Sequence, residues 1–402
     1  MVSNQLSPSG WKSIKLAEVS SIKRGAGSQY LQYTDSPSNE TIRLIRISDF
    51  LGDSPKYVKK TKDIQRFILE KGDILIAGTG ATAGIVFEIP DKFSGLAFSY
   101  NAPRIRVKHD TDNKFIGYYL QSSNVLRQQK ALFTGNAQPF LDTKAIGGFK
   151  IKLPPLSEQK KIAQILSTWD KAITTTEQLL ANSQQQKKAL MQQLLTGKKR
   201  LLDENGVRFS GEWQVSSLVT VAEVTMGSSP KSASYNESKI GLPLLQGNAD
   251  LKSRLSAPRI YTSQITKECQ PGDILLSVRA PVGSVGLSQH HACIGRGISA
   301  IKAKQYNSQA FLYQWLLWFE PKWEALSQGS TFESINGNDI KNILLHIPTH
   351  REQLKIASIL SVADKEINAL KQNLSSLKNE KKALMQQLLT GKRRVKVDEE
   401  AA

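Results

Sequence analysis

Apolar residues recur in two long segments of the chain, at spacings that alternate between four and three. In the first segment this stripe, interrupted by Thr176, Ser183 and Lys187, occupies positions 162, 166, 169, 173, 176, 180, 183, 187, 190 and 194. In the second it occupies the positions 194 residues later, from 356 to 388. A 3.5-residue repeat held over this length is typical of a coiled-coil seam. We therefore expect two long helices of roughly 39 residues, or about 58 Å each at ~1.5 Å per residue.

Both predicted helices have recognisable ends. Pro154 and Pro155 mark the start of the first, because proline is tolerated at a helix start but not in its interior. Gly197 and Gly391 mark the stops, since glycine readily adopts the left-handed conformation that follows a helix. The predicted helical segments are residues 154–200 and 348–392.

The helical segments are two copies of one sequence. The stretch KKALMQQLLTGKKR at residues 187–200 recurs as KKALMQQLLTGKRR at 381–394, with only Lys199 changed, to Arg393. Further upstream, LPPLSEQKKIAQILSTWDKAI at 153–173 matches IPTHREQLKIASILSVADKEI at 347–367. The match weakens but persists where KGDILIAG at 71–78 returns as PGDILLSV at 271–278. The chain is a tandem duplication of a globular block followed by a helix.

Each block has the pattern of a mixed α/β domain, with short β-like runs separated by Gly, Pro, Ser and Asn. The runs cover residues 42–47, 73–77 and 104–108 in the first block and 242–245, 273–278 and 299–302 in the second. One helix is expected in each block, over residues 114–132 and 309–326. The expected division is a first domain at 1–153, a helix at 154–200, a linker at 201–212, a second domain at 213–347, a helix at 348–392 and a disordered tail at 393–402.

Neither long helix should be stable alone, because Thr176, Ser183 and the lysines dilute its narrow apolar stripe. Duplicated halves associate most simply about a pseudo-two-fold axis. We therefore expect an α+β protein in which the two helices form an antiparallel coiled coil with one block at each end.

Charge and composition point to a polyanionic partner. The formal net charge is +19 and the pI is about 9.7, which favours nucleic acid over an anionic membrane surface. No apolar run reaches the ~18–20 residues that cross a bilayer, and the N-terminal residues lack the apolar core of a signal peptide. Cys269 and Cys293 are too few for a disulfide framework. We expect a cytoplasmic protein with both cysteines reduced in its core.

Signals for catalysis are weak. The glycine-rich stretch AGTGATAG at 77–84 lacks dinucleotide-loop spacing, and its second copy reads SVRAPVGSVG. A nuclease set would pair Asp91 with Glu158 and Lys160 across a long separation, and the second copy has Leu354 where the lysine would be. The adenine-methyltransferase signature is absent, and the histidines form no metal-ligand spacing with the cysteines. The sequence thus predicts a binding protein with no catalytic and no metal-binding residues.

Binding to DNA fits the cations better. Arg, Gln and Asn side chains read guanine and adenine edges in the major groove, and alternation along residues 104–108 puts three cations on one strand face. The second copy has lysines at the matching positions, and two amides near the place of the first copy's strand arginines. A solvated strand face would explain any single one of these residues equally well. The candidate DNA-binding residues are Arg43, Arg46, Arg104, Arg106, Lys108, Gln246, Asn248, Arg279, Lys302 and Lys304.

Three elements, repeated in order, resemble a known family across essentially the whole chain. They are Leu-Pro-Pro-Leu at 153–156 followed by Glu158 and Gln159, Gly-Asp-Ile-Leu at 72–75 and 272–275, and K-x-A-L-M-Q-Q-L-L-T-G-K at each helix end. Together they resemble the specificity (S) subunit of type I restriction–modification systems. One departure is the second helix start, where Pro348, Thr349 and His350 replace Pro-Pro-Leu.

The resemblance implies that each block is a target recognition domain reading one half of a split site in double-stranded DNA. The helices would be the family's repeated regions, which pair antiparallel and fix the gap between the halves. The chain itself would be non-catalytic and bind no cofactor. Two modification subunits would methylate adenine using S-adenosylmethionine, and restriction subunits, if present, would cleave using ATP and Mg.

The near-identity of the two helix ends needs its own explanation, because residues outside the seam recur as well. Met191 and Leu195, with their copies Met385 and Leu389, would widen the apolar stripe into a face for a modification-subunit helix, docking once at each copy. Passive survival after a recent duplication or gene conversion is the alternative.

A competing hypothesis is a coiled-coil scaffold that binds DNA without reading it. Such a scaffold would show only the salt dependence that counterion release produces. Its affinity for a cognate duplex would be no higher than its affinity for a random one. RNA binding is disfavoured because the chain lacks an aromatic RNP element and a GXXG loop.

Overall fold

The computed structural model describes residues 9–52, 54–133, 139–327 and 334–397. These residues form two compact units, the first made of the described residues up to 177 together with those from 373 onward, and the second of those between 178 and 372. Each unit holds one globular block, the first half of one long helix and the second half of the other. Residues 1–8 of the predicted first domain and 398–402 of the predicted tail lie outside the described residues.

The first block contains two four-stranded sheets and a two-stranded ribbon. Strand order is β2-β9-β6-β7 in one sheet and β3-β5-β4-β8 in the other, and β1 pairs antiparallel with β10. One apolar cluster joins the first sheet to the helices, through Ile105, Phe115 and Ile162, and a second joins the two sheets. The elements are β1 (Lys12–Lys15), α1 (Leu16–Val19), β2 (Ser20–Lys23), β3 (Tyr33–Thr34), β4 (Thr41–Ile45), β5 (Lys56–Lys59), β6 (Ile74–Ile76), β7 (Val86–Glu88), β8 (Ala97–Phe98), β9 (Arg104–Val107), α2 (Asn113–Leu120), α3 (Ser123–Phe133), α4 (Thr143–Gly147), β10 (Lys150–Leu153) and α5 (Leu156–Leu194).

The second block repeats this plan with longer sheets. The first is six-stranded, in the order β12-β22-β19-β20-β16-β15, the second is five-stranded, in the order β13-β17-β14-β21-β18, and β11 pairs with β23. The elements are β11 (Gln214–Ser217), α6 (Leu218–Val221), β12 (Ala222–Met226), β13 (Tyr235–Asn236), β14 (Leu242–Leu245), β15 (Leu251–Lys252), β16 (Leu255–Ser256), β17 (Ile260–Thr262), β18 (Glu268–Cys269), β19 (Ile274–Ser277), β20 (Val285–Leu287), β21 (Ala292–Ile294), β22 (Ile298–Ala303), α7 (Gln309–Ser327), α8 (Gly337–Lys341), β23 (Leu344–Ile347) and α9 (His350–Leu388).

Each predicted β-like run contains a strand, but the single helix expected over residues 114–132 is wrong. The amide of Gln121 bonds to the carbonyl of Tyr118 and that of Ser122 to Tyr119, three residues back instead of four, and this tight turn ends α2. The carbonyl of Ser122 then accepts from the amide of Leu126, so that α3 begins as a separate helix.

The two long helices pair antiparallel in both units, as the sequence predicts. Every seam position on α5 and α9 is buried or half-buried. In the first unit, Lys381 Nζ lies 2.5 Å from Asp170 Oδ1. In the second unit, Lys187 Nζ lies 2.6 Å from Asp364 Oδ1. The seam lysines therefore do more than dilute the apolar stripe, because each forms an ion pair with an aspartate on the other helix.

Both cysteines, Cys269 and Cys293, are buried and form no disulfide. Among the described residues, no helix combines the length and apolar character that crossing a bilayer requires. In the same part of the chain, no three His, Cys, Asp or Glu side chains gather as the ligands of a metal ion would.

Candidate nucleic-acid interface

The repeated helix ends are buried inside the chain's own cores. Met191 and Leu195 belong to the core of the second unit, with Leu195 only 1% exposed. Leu389 is fully buried in the core of the first unit, and Met385 packs against it. The expectation of a face for another subunit is therefore wrong for Met191, Leu195 and Leu389, and Met385 is half-buried against the same core. The end of α5 packs into the second block and the end of α9 into the first, so intramolecular packing covers the wider stripe.

An arginine just beyond each helix end forms a matching clamp. In the second unit, Arg200 donates through Nε and Nη2 to the two oxygens of Glu352, both at 2.7 Å. Trp213 donates its indole N–H to the same carboxylate at 3.3 Å, and the Arg200 guanidinium lies over the Trp213 ring. Hydrogen bonding to Glu352 raises the pKa of Arg200. This group of three residues, with its copy in the first unit, is called the clamp below.

The clamp of the first unit consists of Arg394, Glu158 and Trp11. Arg394 donates to both oxygens of Glu158, at 2.7 and 2.8 Å, and Trp11 donates to the same carboxylate at 3.1 Å. Hydrogen bonding to Glu158 raises the pKa of Arg394. Arg394 is therefore fixed, which corrects the expectation of a disordered tail from residue 393. The two helix ends thus make matching contacts, each with the block of its own unit.

The glutamine after each clamp glutamate ties the helix start to its block. Gln159 accepts from the amide of Asp112 at 2.8 Å and donates to the carbonyl of Pro154. Gln353 accepts from the amide of Ser308 at 2.8 Å and donates to the carbonyl of Pro348. The repeated Glu-Gln pair is structural, which accounts for Glu158, one of the three residues considered above as a nuclease set.

The three alternating cations around β9 do not form an exposed strand face, so that expectation is wrong. Both faces of the strand are covered: Ile105 lies in the core with the helices, and the Arg104 guanidinium lies over the Phe98 ring on the other side. Arg104 is 8% exposed, and burial lowers its pKa. Arg106 donates to both oxygens of Asp73 at 2.8 Å, and this hydrogen bonding raises its pKa. Neither arginine has a free guanidinium to offer to DNA.

The lysines at the ends of β9 and β22 have a structural role, because each donates a hydrogen bond to the backbone. Lys108 Nζ donates to the carbonyl of Glu18 at 2.7 Å, and Lys304 Nζ donates to the carbonyl of Val219 at 2.6 Å. Each bond holds the strand end to the short helix of its block. Lys302, by contrast, is exposed on β22 and lies opposite Glu223 of β12.

A buried aspartate organises the turn after β4, and another does so after β14. Asp49 accepts from the amide of Arg46 at 2.8 Å and from the Arg43 guanidinium at 2.9 Å. Asp250 accepts in the same way from the amide of Gln246, at 2.8 Å. Arg46 and Gln246 thus occupy equivalent places, as the sequence comparison placed them. Arg43 is committed to this ion pair.

The side chains at these turns have different surroundings in the two blocks. Arg46 lines a cavity of about 820 Å³ in the first block, the first cleft, although it also donates to Asp49 and to the carbonyl of Ser54. Gln246 donates to the Tyr235 hydroxyl at 2.8 Å. Asn248 lines a separate cavity of about 1080 Å³ in the second unit. The first cleft is bordered by residues 26–29, 31, 33, 46–48, 51, 82 and 99–101.

Beside the first cleft, an arginine that the sequence analysis missed contacts two exposed aromatic rings. The guanidinium carbon of Arg24 lies 4.4 Å from the centroid of the Tyr100 ring and 4.8 Å from that of Phe140. Tyr100 is 45% exposed and Phe140 is 46% exposed. Gly25 makes the arrangement possible, because a Cβ there would lie 2.3 Å from the carbonyl oxygens of Phe98 and Ser99. The signal in the sequence was an Arg-Gly pair directly after a strand.

Equivalent positions of the second block carry other side chains. The strand registers place Met226 at the position of Arg24 and Arg296 at that of Tyr100. The backbone of Thr79 bridges to Phe140, whereas that of Arg279 bridges to Ser334. Arg279 and Arg296 are both exposed. Two matching scaffolds therefore present different polar and aromatic groups.

Both halves of the chain are similar in sequence to known proteins. The family model for the type I restriction modification DNA specificity domain matches residues 8–182 and again residues 210–379. A protein of Methanocaldococcus jannaschii assigned to the type I restriction enzyme specificity subunits is 33% identical over 411 residues, covering 97% of this chain and 95% of the relative. The MjaVIII specificity subunit of the same organism is 27% identical over 372 residues, covering 86% and 84%.

Solved structures agree with these sequence relatives. A chain from a study of complex assembly and conformational transition in a type I restriction–modification system is 26% identical with a TM-score of 0.60, covering 96% of this chain and all of that one. The S subunit from M. genitalium, at 15% identity, has the same fold with a TM-score of 0.62, covering 97% and 98%. The chain belongs to the specificity subunits of type I restriction–modification systems, with the DNA specificity domain present twice.

Proposed function

We propose that this chain is the non-catalytic DNA-recognition subunit of a type I restriction–modification enzyme, and that each block reads one half of an asymmetric bipartite site. The observation that carries this proposal is that the two blocks share the same scaffold contacts but have different side chains at equivalent surface positions. The clamps recur in both units, whereas equivalent surface positions hold Tyr100 and Phe140 in one block and Arg296 and Ser334 in the other. Two different readers on one repeated scaffold require two different half-sites.

In this proposal the paired helices set the length of the unread spacer. A two-helix seam is stiff, and its length is fixed by the number of heptads, so that it acts as a ruler between two base-reading surfaces. The ion pairs Lys187–Asp364 and Lys381–Asp170 support this role, because they fix the register of the helices in each unit. The chain would act in the cytoplasm on double-stranded DNA.

Catalysis would come from other subunits. We expect the chain to recruit two modification subunits, which bring S-adenosylmethionine to adenine, and restriction subunits, which bring ATP and Mg. A structure of type I complex assembly containing a chain 26% identical to this one supports such partners. Their docking surfaces would lie outside the buried residues Met191, Leu195 and Leu389.

Methylome sequencing of the host with and without this gene tests the proposal. We expect a split adenine motif with two unlike halves to disappear from the deletion strain. Loss of methylation at a single continuous motif, or no change, would reject it. The scaffold alternative would leave the purified protein with equal affinity for random and cognate duplexes at every salt concentration.

A further inference from the structure

Arg24 is held in place by the faces of aromatic rings, not by hydrogen bonds. Its guanidinium lies against Tyr100 and Phe140, and no described residue accepts a hydrogen bond from it. Aromatic rings offer no oxygen or nitrogen acceptor, so these two contacts leave the guanidinium N–H groups without a conventional hydrogen-bond acceptor. The structure therefore presents a fixed planar donor group at the surface.

The backbone around Arg24 is fixed as well. The amide of Ala26 donates to the carbonyl of Phe98 at 2.8 Å, and the amide of Tyr100 donates to the carbonyl of Ala26 at 3.0 Å. The segment after β2 thus lies alongside the segment after β8, which brings Arg24 against the Tyr100 ring. On the other side, the bridge from Thr79 to Phe140 anchors the second ring. Both rings are attached to the sheet scaffold by backbone bonds.

Other arginines on this block differ from Arg24 in a decisive way. Arg43 and Arg106 each donate to a buried aspartate, and Arg104 is enclosed. Arg46 lines the first cleft but donates to Asp49. Arg24 combines unused donors, an imposed orientation and a neighbour, Tyr100, that lines the first cleft.

We propose that Arg24 reads a guanine in the half-site recognised by the first block, with Tyr100 and Phe140 as positioning residues. Two N–H groups of a planar guanidinium match the O6 and N7 acceptors of guanine in the major groove. A contact with phosphate carries no sequence information, whereas bidentate reading of a base edge depends on the orientation of the guanidinium, which the two exposed rings restrict. The inference rests on the proposed function, because it assumes that the first block reads DNA.

At the equivalent positions, the described residues of the second block do not place an arginine against two aromatic rings. Met226 occupies the place of Arg24, and Arg296 occupies that of Tyr100. The guanine reading therefore belongs to one half of the site only, which gives the test an internal reference.

The test is selection of bound duplexes from a randomised library by the full-length chain, co-produced with the modification subunits of its host. We expect the wild-type motif to contain a guanine whose preference falls by roughly 10-fold or more in Arg24→Ala, while the other half-site is unchanged. Arg24→Lys keeps the charge but not the planar donors, so the same position should relax. The matched control Lys144→Ala, which removes an exposed cation from α4, should leave the motif intact.

Two results would overturn the inference. One is an unchanged motif in both Arg24 variants with affinity lowered equally for every sequence, which is the behaviour of a phosphate contact. The other is a wild-type motif in which no guanine responds to either variant. Thermal melting of each variant confirms that it is folded. A wild-type chain without any bipartite motif would instead reject the proposed function itself.

Discussion

Replacing Arg200 by Met tests whether the clamp holds the end of α5 to the second block. The variant keeps the apolar stem but leaves the Glu352 carboxylate, whose side chain is 1% exposed, with Trp213 as its remaining donor at 3.3 Å. Removing one partner of a buried ion pair costs about 3–5 kcal/mol. The Arg200 side chain is 21% exposed, so water can replace part of the interaction. We therefore expect a loss near the lower limit, about 3 kcal/mol.

Hydrogen exchange measured by mass spectrometry shows where in the chain this stability is lost. A cost of about 3 kcal/mol corresponds to roughly 100-fold faster exchange where local opening controls the rate. Faster exchange should appear in the last turn of α5, in β11 and in the first turn of α9. Arg394→Met is the matched variant and should produce the same change at the end of α9, in β1 and at the start of α5.

A double-mutant cycle isolates the ion pair from other effects. Glu352→Gln removes the charge, so Arg200→Met with Glu352→Gln should be more stable than Arg200→Met alone by at least about 1 kcal/mol. Exchange faster by less than about twofold in Arg200→Met, or equally faster in both units, would refute the role given to the clamp.

Two further predictions concern the helices. Leu195→Glu should destabilise the second unit by about 3 kcal/mol or more, because it puts a charge into a core where Leu195 is 1% exposed, whereas Lys188→Glu on the exposed side should not. Thermal melting distinguishes them, and a stable Leu195→Glu chain that has lost a partner subunit would restore the docking-face interpretation. Exchanging the charges in Lys187→Asp with Asp364→Lys should recover most of the roughly 1 kcal/mol that either single change costs, since both side chains are partly exposed. Failure of the double variant to recover stability would argue against a direct pair.

The helical half of the fold could be predicted from the sequence because its signal is long and periodic. A 3.5-residue stripe sustained over ten positions leaves little choice of structure, and each of these positions is buried or half-buried. Even polar members such as Lys187 fit the seam, because Asp364 lies opposite. The periodicity could not show which neighbour covers the wider stripe at Leu195 and Leu389. Burial against a partner subunit and burial against the chain's own block require the same pattern of apolar residues.

Prediction of an exposed cationic face on β9 was less successful, for a physical reason. Alternation along β9 assigns side chains to faces, but it indicates an exposed cationic face only if one side of the sheet meets solvent. Here a second sheet covers the other side, so Arg104 is buried and Arg106 pairs with Asp73. Arg24 and Tyr100 lie in irregular segments, where no period exists and only backbone pairing brings them together.

We propose that one chain reads two half-sites at a separation set by its helices. Inserting one heptad after Glu177 and another after Gln372, opposite each other on the antiparallel seam, tests this ruler role of the helices. Seven residues preserve the seam and lengthen each helix by about 10.5 Å. Methylome sequencing of the host carrying this variant should show the same two half-sites with a longer spacer between them. A change in either half-site, or an unchanged spacer, would show that the helices do not set the separation of the half-sites.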